Sequence, residues 1–129
     1  MTKQTTHSRV ALVTGGSGGI GREVVKRLVA DNFAVAVHYA SNKEKAETLV
    51  ADIIVAGGQA LVVGGDVADE KVMAQVFDEV EVEFGGIDVV INTAGMMLLS
   101  TIVDLNLDDL DRMFRTNIRG TFVVAQQAA

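Results

Sequence analysis

From Val10 onward, short apolar runs alternate with longer segments in which apolar residues recur every three or four positions. Val10 to Val13 is continuously apolar rather than alternating, which predicts a central strand buried on both faces. From Ile20 to about Asn32, Val24, Val25, Leu28 and Val29 fall at helical spacing and leave Arg22, Glu23, Lys26 and Arg27 for solvent. Phe33 to Val37 reads as a second strand. Lys43 to Ala56 puts Ala46, Leu49, Val50 and Ile53 on one helical stripe, ended by Gly57-Gly58. Ala60 to Val63 is the third strand, Asp69 to Phe84 a third helix with Val72, Val76, Val80 and Phe84 on its apolar face, and Ile87 to Ile91 the fourth strand. A further helix begins near Asp108, with Leu110, Met113 and Phe114 on its apolar side. Proline is absent, so glycine and the Asn/Asp positions supply the punctuation. Strands that alternate with helices predict an α/β fold built on a parallel sheet.

Composition narrows this picture. At 129 residues and 49% apolar, the chain suffices for one domain with a real core and not for two. Residues 1–8 form a polar N-terminal tail, and residues 9–129 the domain. With no cysteine, neither a disulfide framework nor a thiolate metal site is available. A cytoplasmic protein without a metal is therefore expected. No apolar run approaches membrane-spanning length, and no membrane partner is expected. Seventeen acidic against eleven basic residues give a net charge of −6 without a Lys/Arg cluster, so nucleic acid is not an expected partner.

Between the first strand and the first helix lies Thr14-Gly15-Gly16-Ser17-Gly18-Gly19-Ile20-Gly21, five of whose eight residues are glycine. A turn of this kind points backbone N–H groups and the positive end of the helix dipole at one spot, where a pyrophosphate belongs. Glycine is needed because a side chain would forbid positive φ or hold the phosphate off the backbone. Gly15, Ser17, Gly18, Gly19, Ile20 and Gly21 are thus candidate cofactor contacts. Gly16, Gly18 and Gly21 fit G-x-G-x-x-G, while Thr14, Gly15, Gly19 and Gly21 fit the narrower T-G-x-x-x-G-x-G. Loop and alternation together predict the first half of a Rossmann-type doubly wound sheet: four parallel strands in the order 3-2-1-4, with flanking helices.

An acid at the end of the second strand would accept from the adenosine ribose hydroxyls, but this strand ends His38-Tyr39-Ala40-Ser41-Asn42-Lys43. Tyr39, Ser41, Asn42 and Lys43 can instead donate to a 2′-phosphate. That favours NADP(H), with NAD(H) as the alternative. Tyr39 to Lys43 also spells Y-x-x-x-K, yet a strand end followed by a loop does not stack the two side chains one helical turn apart. Asp66-Val67 follows the third strand, where an aspartate can accept from an adenine amino group or cap the third helix, a role for which Asp69 competes. Asn92, Ala94 and Gly95 close the fourth strand in a small-residue turn that lets backbone approach a ribose.

Thr14 to Gly21, Asp66-Val67, Asn92-Thr93-Ala94-Gly95 and Asn117 occur in an order and spacing that resemble the short-chain dehydrogenase/reductase family, most closely its 3-oxoacyl-carrier-protein-reductase type. Val35 to Tyr39 and Phe84 to Asp88 add to the likeness, which covers Val10 to Gly120. Thr93 departs from it, since many members carry a second asparagine there; its hydroxyl is expected to keep the turn. The resemblance implies hydride transfer between a nicotinamide cofactor and a small carbonyl or alcohol, by an Asn, a Ser and a Tyr with Lys four residues on. Asn117 matches the Asn, which in the family bends its helix and orders a water of the proton relay. The expectation is that this chain is the cofactor half, ending at Ala129 before the Ser and the Tyr-Lys helix, with the apolar face around Phe122, Val123 and Val124 unpartnered and poor stability alone. The resemblance also implies a homo-oligomer, commonly a tetramer. A nucleotide- or partner-binding module without catalysis remains the alternative. Another Rossmann binder, such as a methyltransferase, would usually want an acid at the second strand's end.

Overall fold

The computed structural model describes residues 9–129; the polar tail of residues 1–8 lies outside the described residues. The elements run β1 (Val10–Thr14), α1 (Gly19–Ala30), β2 (Ala34–Tyr39), α2 (Lys43–Val55), β3 (Ala60–Gly64), α3 (Glu70–Phe84), β4 (Val89–Asn92), α4 (Leu107–Phe114), a π-helical turn (Arg115–Arg119) and α5 (Gly120–Ala128). All four strands are parallel, in the order β3-β2-β1-β4. The expected strand order is observed.

Strand alternation sorts the core into two layers. Val10 and Leu12 of β1 and Ala34 and Ala36 of β2 face α3 and α5, where Met73, Val76, Phe77, Val80, Val123 and Val124 complete one cluster. Val13, Val35 and Val37 face the other way, onto Val25 of α1 and Ala46, Leu49, Val50 and Ile53 of α2. Every residue of β1 is buried, as a strand sandwiched between two helical layers must be.

Two expectations are corrected here. The buried face of α3 is Met73, Val76, Phe77 and Val80, whereas Val72 and Phe84 are only partly covered. Asp69 caps this helix through Lys71 and Val72 N–H, and the phase that follows turns Met73 inward. Val123 and Val124 do not lack partners: α5 returns across α3 and buries them to 6% and 2% exposure, leaving Phe122 69% exposed.

Candidate functional site

The strand order reverses between β1 and β4, and there the loops at the strands' carboxyl ends open a cleft of about 610 Å3. Ligands of open α/β sheets bind at this switch point, and the volume lies within the roughly 300–1,000 Å3 of small-molecule sites. The first loop enters through Gly15, whose φ of +63° suits glycine. Gly18 N–H closes the turn on the Gly15 carbonyl at 3.1 Å, and Arg22 N–H bonds the Gly18 carbonyl at 2.8 Å. The amides of Gly19, Ile20 and Gly21 thus stand at the open end of α1. Asn42, Asp69 and Asn106 cap α2, α3 and α4 with side-chain oxygens, whereas α1 has Gly18 at its cap and no side-chain acceptor.

The β4 turn is pinned to this loop. Thr14 Oγ1 donates to Asn92 Oδ1 and accepts from Ala94 N–H at 3.2 Å, while Thr93 Oγ1 donates to the Thr14 carbonyl at 2.5 Å. The hydroxyl of Thr93 therefore keeps the turn closed. Asn117 holds the next stretch: its Oδ1 accepts from Met96 N–H at 2.8 Å and its Nδ2 donates to the Met96 carbonyl at 2.7 Å. Asn117 lies in the π-helical turn, and Thr121 Oγ1 donates to its carbonyl at 2.7 Å. Such turns frequently interrupt α-helices at functional sites.

On the opposite wall, Asp66 Oδ1 accepts from Ala68 N–H at 2.9 Å and Oδ2 takes Arg115 Nε and Nη2 at 3.1 and 2.8 Å. Burial pushes the Asp66 carboxyl up, but these hydrogen bonds and the Arg115 and Arg119 charges outweigh it and hold the group below its ordinary value. Asp66 thus stays ionised at neutral pH, as an acceptor. Arg119 Nε donates to the Ala68 carbonyl at 2.8 Å. The side chain of Val67 is buried against Gly120, where a Cβ would come within 2.5 Å of its Cγ2.

Of the residues singled out in the sequence, Gly15, Ser17, Gly18, Gly19, Ile20, Gly21, Ser41, Asn42, Asp66, Val67, Ala94 and Gly95 line the cleft. Tyr39, Lys43, Asn92 and Asn117 are not among its lining residues. Tyr39 follows Val35 and Val37 onto the α1–α2 side of the sheet, with its ring over Gly64. Ala40, Lys45, Thr93, Met96 and Thr116 complete the wall. Lys45 occupies the third position of α2, directly after the capped turn, a phase that loop composition does not reveal. The sequence also passed over His38, a fully buried polar residue at the end of an apolar run, which accepts from Gly15 N–H through Nδ1 at 3.1 Å.

A parallel α/β sheet with a glycine loop opening α1 at the switch point defines a Rossmann-type protein. The chain belongs to the short-chain dehydrogenase family, whose family model matches residues 9–129. It is 37% identical over 120 residues to versicolorin reductase of Emericella nidulans, covering 93% of this chain and 46% of that protein. Against the 3-oxoacyl-(acyl-carrier-protein) reductase of Staphylococcus aureus the identity is 36% over 121 residues, covering 94% and 49%. Among solved structures it resembles a short-chain dehydrogenase/reductase of Serratia marcescens, with TM-score 0.85, 41% identity and 93% and 49% of the two chains covered. A short-chain dehydrogenase of Burkholderia cenocepacia, in complex with NADP, gives TM-score 0.86 at 40% identity, covering 95% and 49%. The chain thus spans about half the length of the relatives it matches. Among the described residues no helix is long and apolar enough to cross a membrane.

Proposed function

We propose that residues 9–129 are the cofactor-binding unit of an NADP(H)-preferring oxidoreductase that transfers hydride between the nicotinamide and a small carbonyl or alcohol. The carrying observation is the open N-terminus of α1: a glycine cap without a side-chain acceptor and three first-turn residues, Gly19, Ile20 and Gly21, lining the cleft, where the other helices that start from a loop carry a side-chain cap. A pyrophosphate supplies the missing acceptors and complements the helix dipole. The bound dinucleotide supplies the hydride, and this chain's residues bind and orient it.

In this proposal Asp66 accepts from the adenine amino group, the Val67 backbone flanks the ring, and Ala94 and Gly95 let backbone approach a ribose. Asn92 acts one step back, by fixing the turn through Thr14. Asn117 is the family's catalytic Asn by position, and its grip on Met96 supports a role in setting that part of the cleft. At the end of β2, Ser41, Asn42 and Lys45 line the wall where a 2′-phosphate would lie, and Arg22 adjoins Asn42 and Lys45 in a neighbouring hollow. Tyr39 and Lys43 do not line that wall.

The protein is expected to bind NADPH more tightly than NADH, by roughly tenfold or more, because one charge-assisted contact contributes about 1.5–3 kcal/mol and about 1.4 kcal/mol is a factor of ten. Ala40→Asp brings a carboxylate into the cleft wall and should turn the preference toward NADH. Fluorescence titration of both nucleotides into both proteins tests this; equal or NADH-favouring constants in the unmodified protein contradict it. Tight binding with no oxidation of NADPH by any of a panel of carbonyl compounds would favour the binding-module alternative.

The proposal extends to a homo-oligomer, a tetramer in keeping with the family. Leu107, Phe114, Ile118 and Phe122 recur at intervals of seven and four residues through the π turn, each between 48% and 69% exposed. An apolar stripe of this kind marks an interaction surface. Sedimentation should give a tetramer mass that drops on Phe114→Glu with Ile118→Glu; a monomeric unmodified protein counts against it.

A further inference from the structure

We propose that His38 is a positioning residue of the cofactor cleft: its buried imidazole spans the loops after β1 and β3 and sets the spacing between the pyrophosphate cradle and Asp66. The inference rests on the cofactor reading above. Nδ1 accepts from Gly15 N–H at 3.1 Å, and Nε2 faces the Gly65 carbonyl at 2.8 Å. The two partners fix the tautomer. Gly15 N–H can only donate and the Gly65 carbonyl can only accept, so Nδ1 is bare and Nε2 carries the proton.

His38 and its neighbour also hold both loops by main chain. Gly16 N–H donates to the His38 carbonyl at 2.8 Å, and Gly65 N–H to the Tyr39 carbonyl at 3.0 Å. Each loop is therefore tied at two adjacent points, one through backbone and one through the imidazole. No side chain of the loops can replace that tie, because Gly15 and Gly65 sit at φ of +63° and +141°. A Cβ on Gly65 would also collide with Val72 Cγ1. Gly15 opens the turn that presents the first-turn amides, and Gly65 immediately precedes Asp66. Movement of either bond displaces one wall of the cleft against the other.

Protonation of the ring would set an Nδ1–H against Gly15 N–H, two donors facing each other. Burial disfavours that state and lowers the His38 pKa from its ordinary 6.5, outweighing the Gly65 hydrogen bond, which raises it. The first loop from Gly15 to Gly19 carries no charged side chain, nor do β1, β2 or β3 apart from His38. Asp66 directly follows Gly65, and its carboxylate is held by Ala68 N–H and Arg115. The neutral strut is the working form at neutral pH.

Three replacements separate positioning from packing. In His38→Asn the side-chain oxygen can sit where Nδ1 does and still accept from Gly15. In His38→Gln the amide can reach Gly65 but offers no acceptor at Nδ1, and His38→Leu fills the space and bonds to neither. NADPH titration of the folded variants should show His38→Leu weakened by about tenfold or more relative to the unmodified protein, equivalent to about 1.4 kcal/mol. His38→Asn should recover most of that loss, and His38→Gln should fall between. A space-filling role predicts the reverse, with Leu at least as good as Asn; affinities equal across the series, or Leu tighter than Asn, overturn the proposal. If the variants do not fold, nitrogen NMR of the imidazole in the unmodified protein decides. A neutral ring protonated on Nε2 at pH 7 supports the strut, and a ring protonated on Nδ1 or cationic there overturns it. Failure of the unmodified protein to bind NADPH or NADH would overturn the cofactor reading itself, and the strut with it.

Discussion

Gly21→Val is expected to lower the unfolding free energy by about 3 kcal/mol, at the upper end of the cost of overpacking a close-packed site, and to abolish nicotinamide nucleotide binding. A Cβ at Gly21 would collide with the Gly15 carbonyl oxygen and approach Thr93 Oγ1 to 2.7 Å. Neither neighbour can give way cheaply. Thr93 Oγ1 is held on the Thr14 carbonyl, and Gly15 is fixed by His38 on one side and by close approach to Ala94 on the other, where a Cβ would come within 3.0 Å of backbone. The first loop must therefore shift as a unit, taking with it the amides at the head of α1. Denaturant unfolding with NADPH titration measures both effects. Unchanged stability would mean that the loop and the β4 turn are not packed as described.

Gly19→Val should behave differently, with a large loss of binding and almost no loss of stability. Nothing lies within 4 Å of a Cβ at Gly19, the residue is exposed, and it occupies the first position of α1. Surface changes of this kind usually alter stability by less than about 0.5 kcal/mol. Gly19 lines the cleft, and a branched side chain there would hold a pyrophosphate off the amides. A loss of about 100-fold in NADPH affinity, equivalent to about 2.7 kcal/mol, is expected. Unchanged affinity in this variant would remove the glycine stretch from the site. Both glycines read alike in the sequence; the structure divides them into one that protects the loop and one that protects the ligand.

The strand order and the two-layered core were legible because the alternation in Ala34-Val35-Ala36-Val37 and the unbroken run Val10 to Val13 leave few ways to bury both faces. The ends of the strands were less so. β2 runs on through His38 and Tyr39 because the histidine's polarity is satisfied inside the fold, by loops distant in sequence. β4 starts at Val89 rather than Ile87 because Asp88 is used to receive β1: its N–H donates to the Val10 carbonyl and its carboxylate accepts from Val10 N–H, at 2.8 and 2.7 Å. The cleft's glycines were visible as composition. Of its polar wall, Ser41, Asn42 and Asp66 were legible, whereas Lys45 was not, because the direction of a side chain depends on phase. One residue of strand decides that Tyr39 turns into the core, and two residues of helix exchange Lys43 for Lys45. Arg115 grips Asp66 across 49 residues of sequence, which no local pattern records.

The central claim, that the head of α1 is a pyrophosphate cradle, is tested most directly by following backbone amide resonances of the protein while NADPH is added. The account predicts saturable shifts that are largest at Gly18, Gly19 and Ile20, with smaller ones at Asp66 and Ala94, and their loss in Gly19→Val. Binding that leaves the α1 amides unmoved, or no binding at millimolar nucleotide, would contradict it.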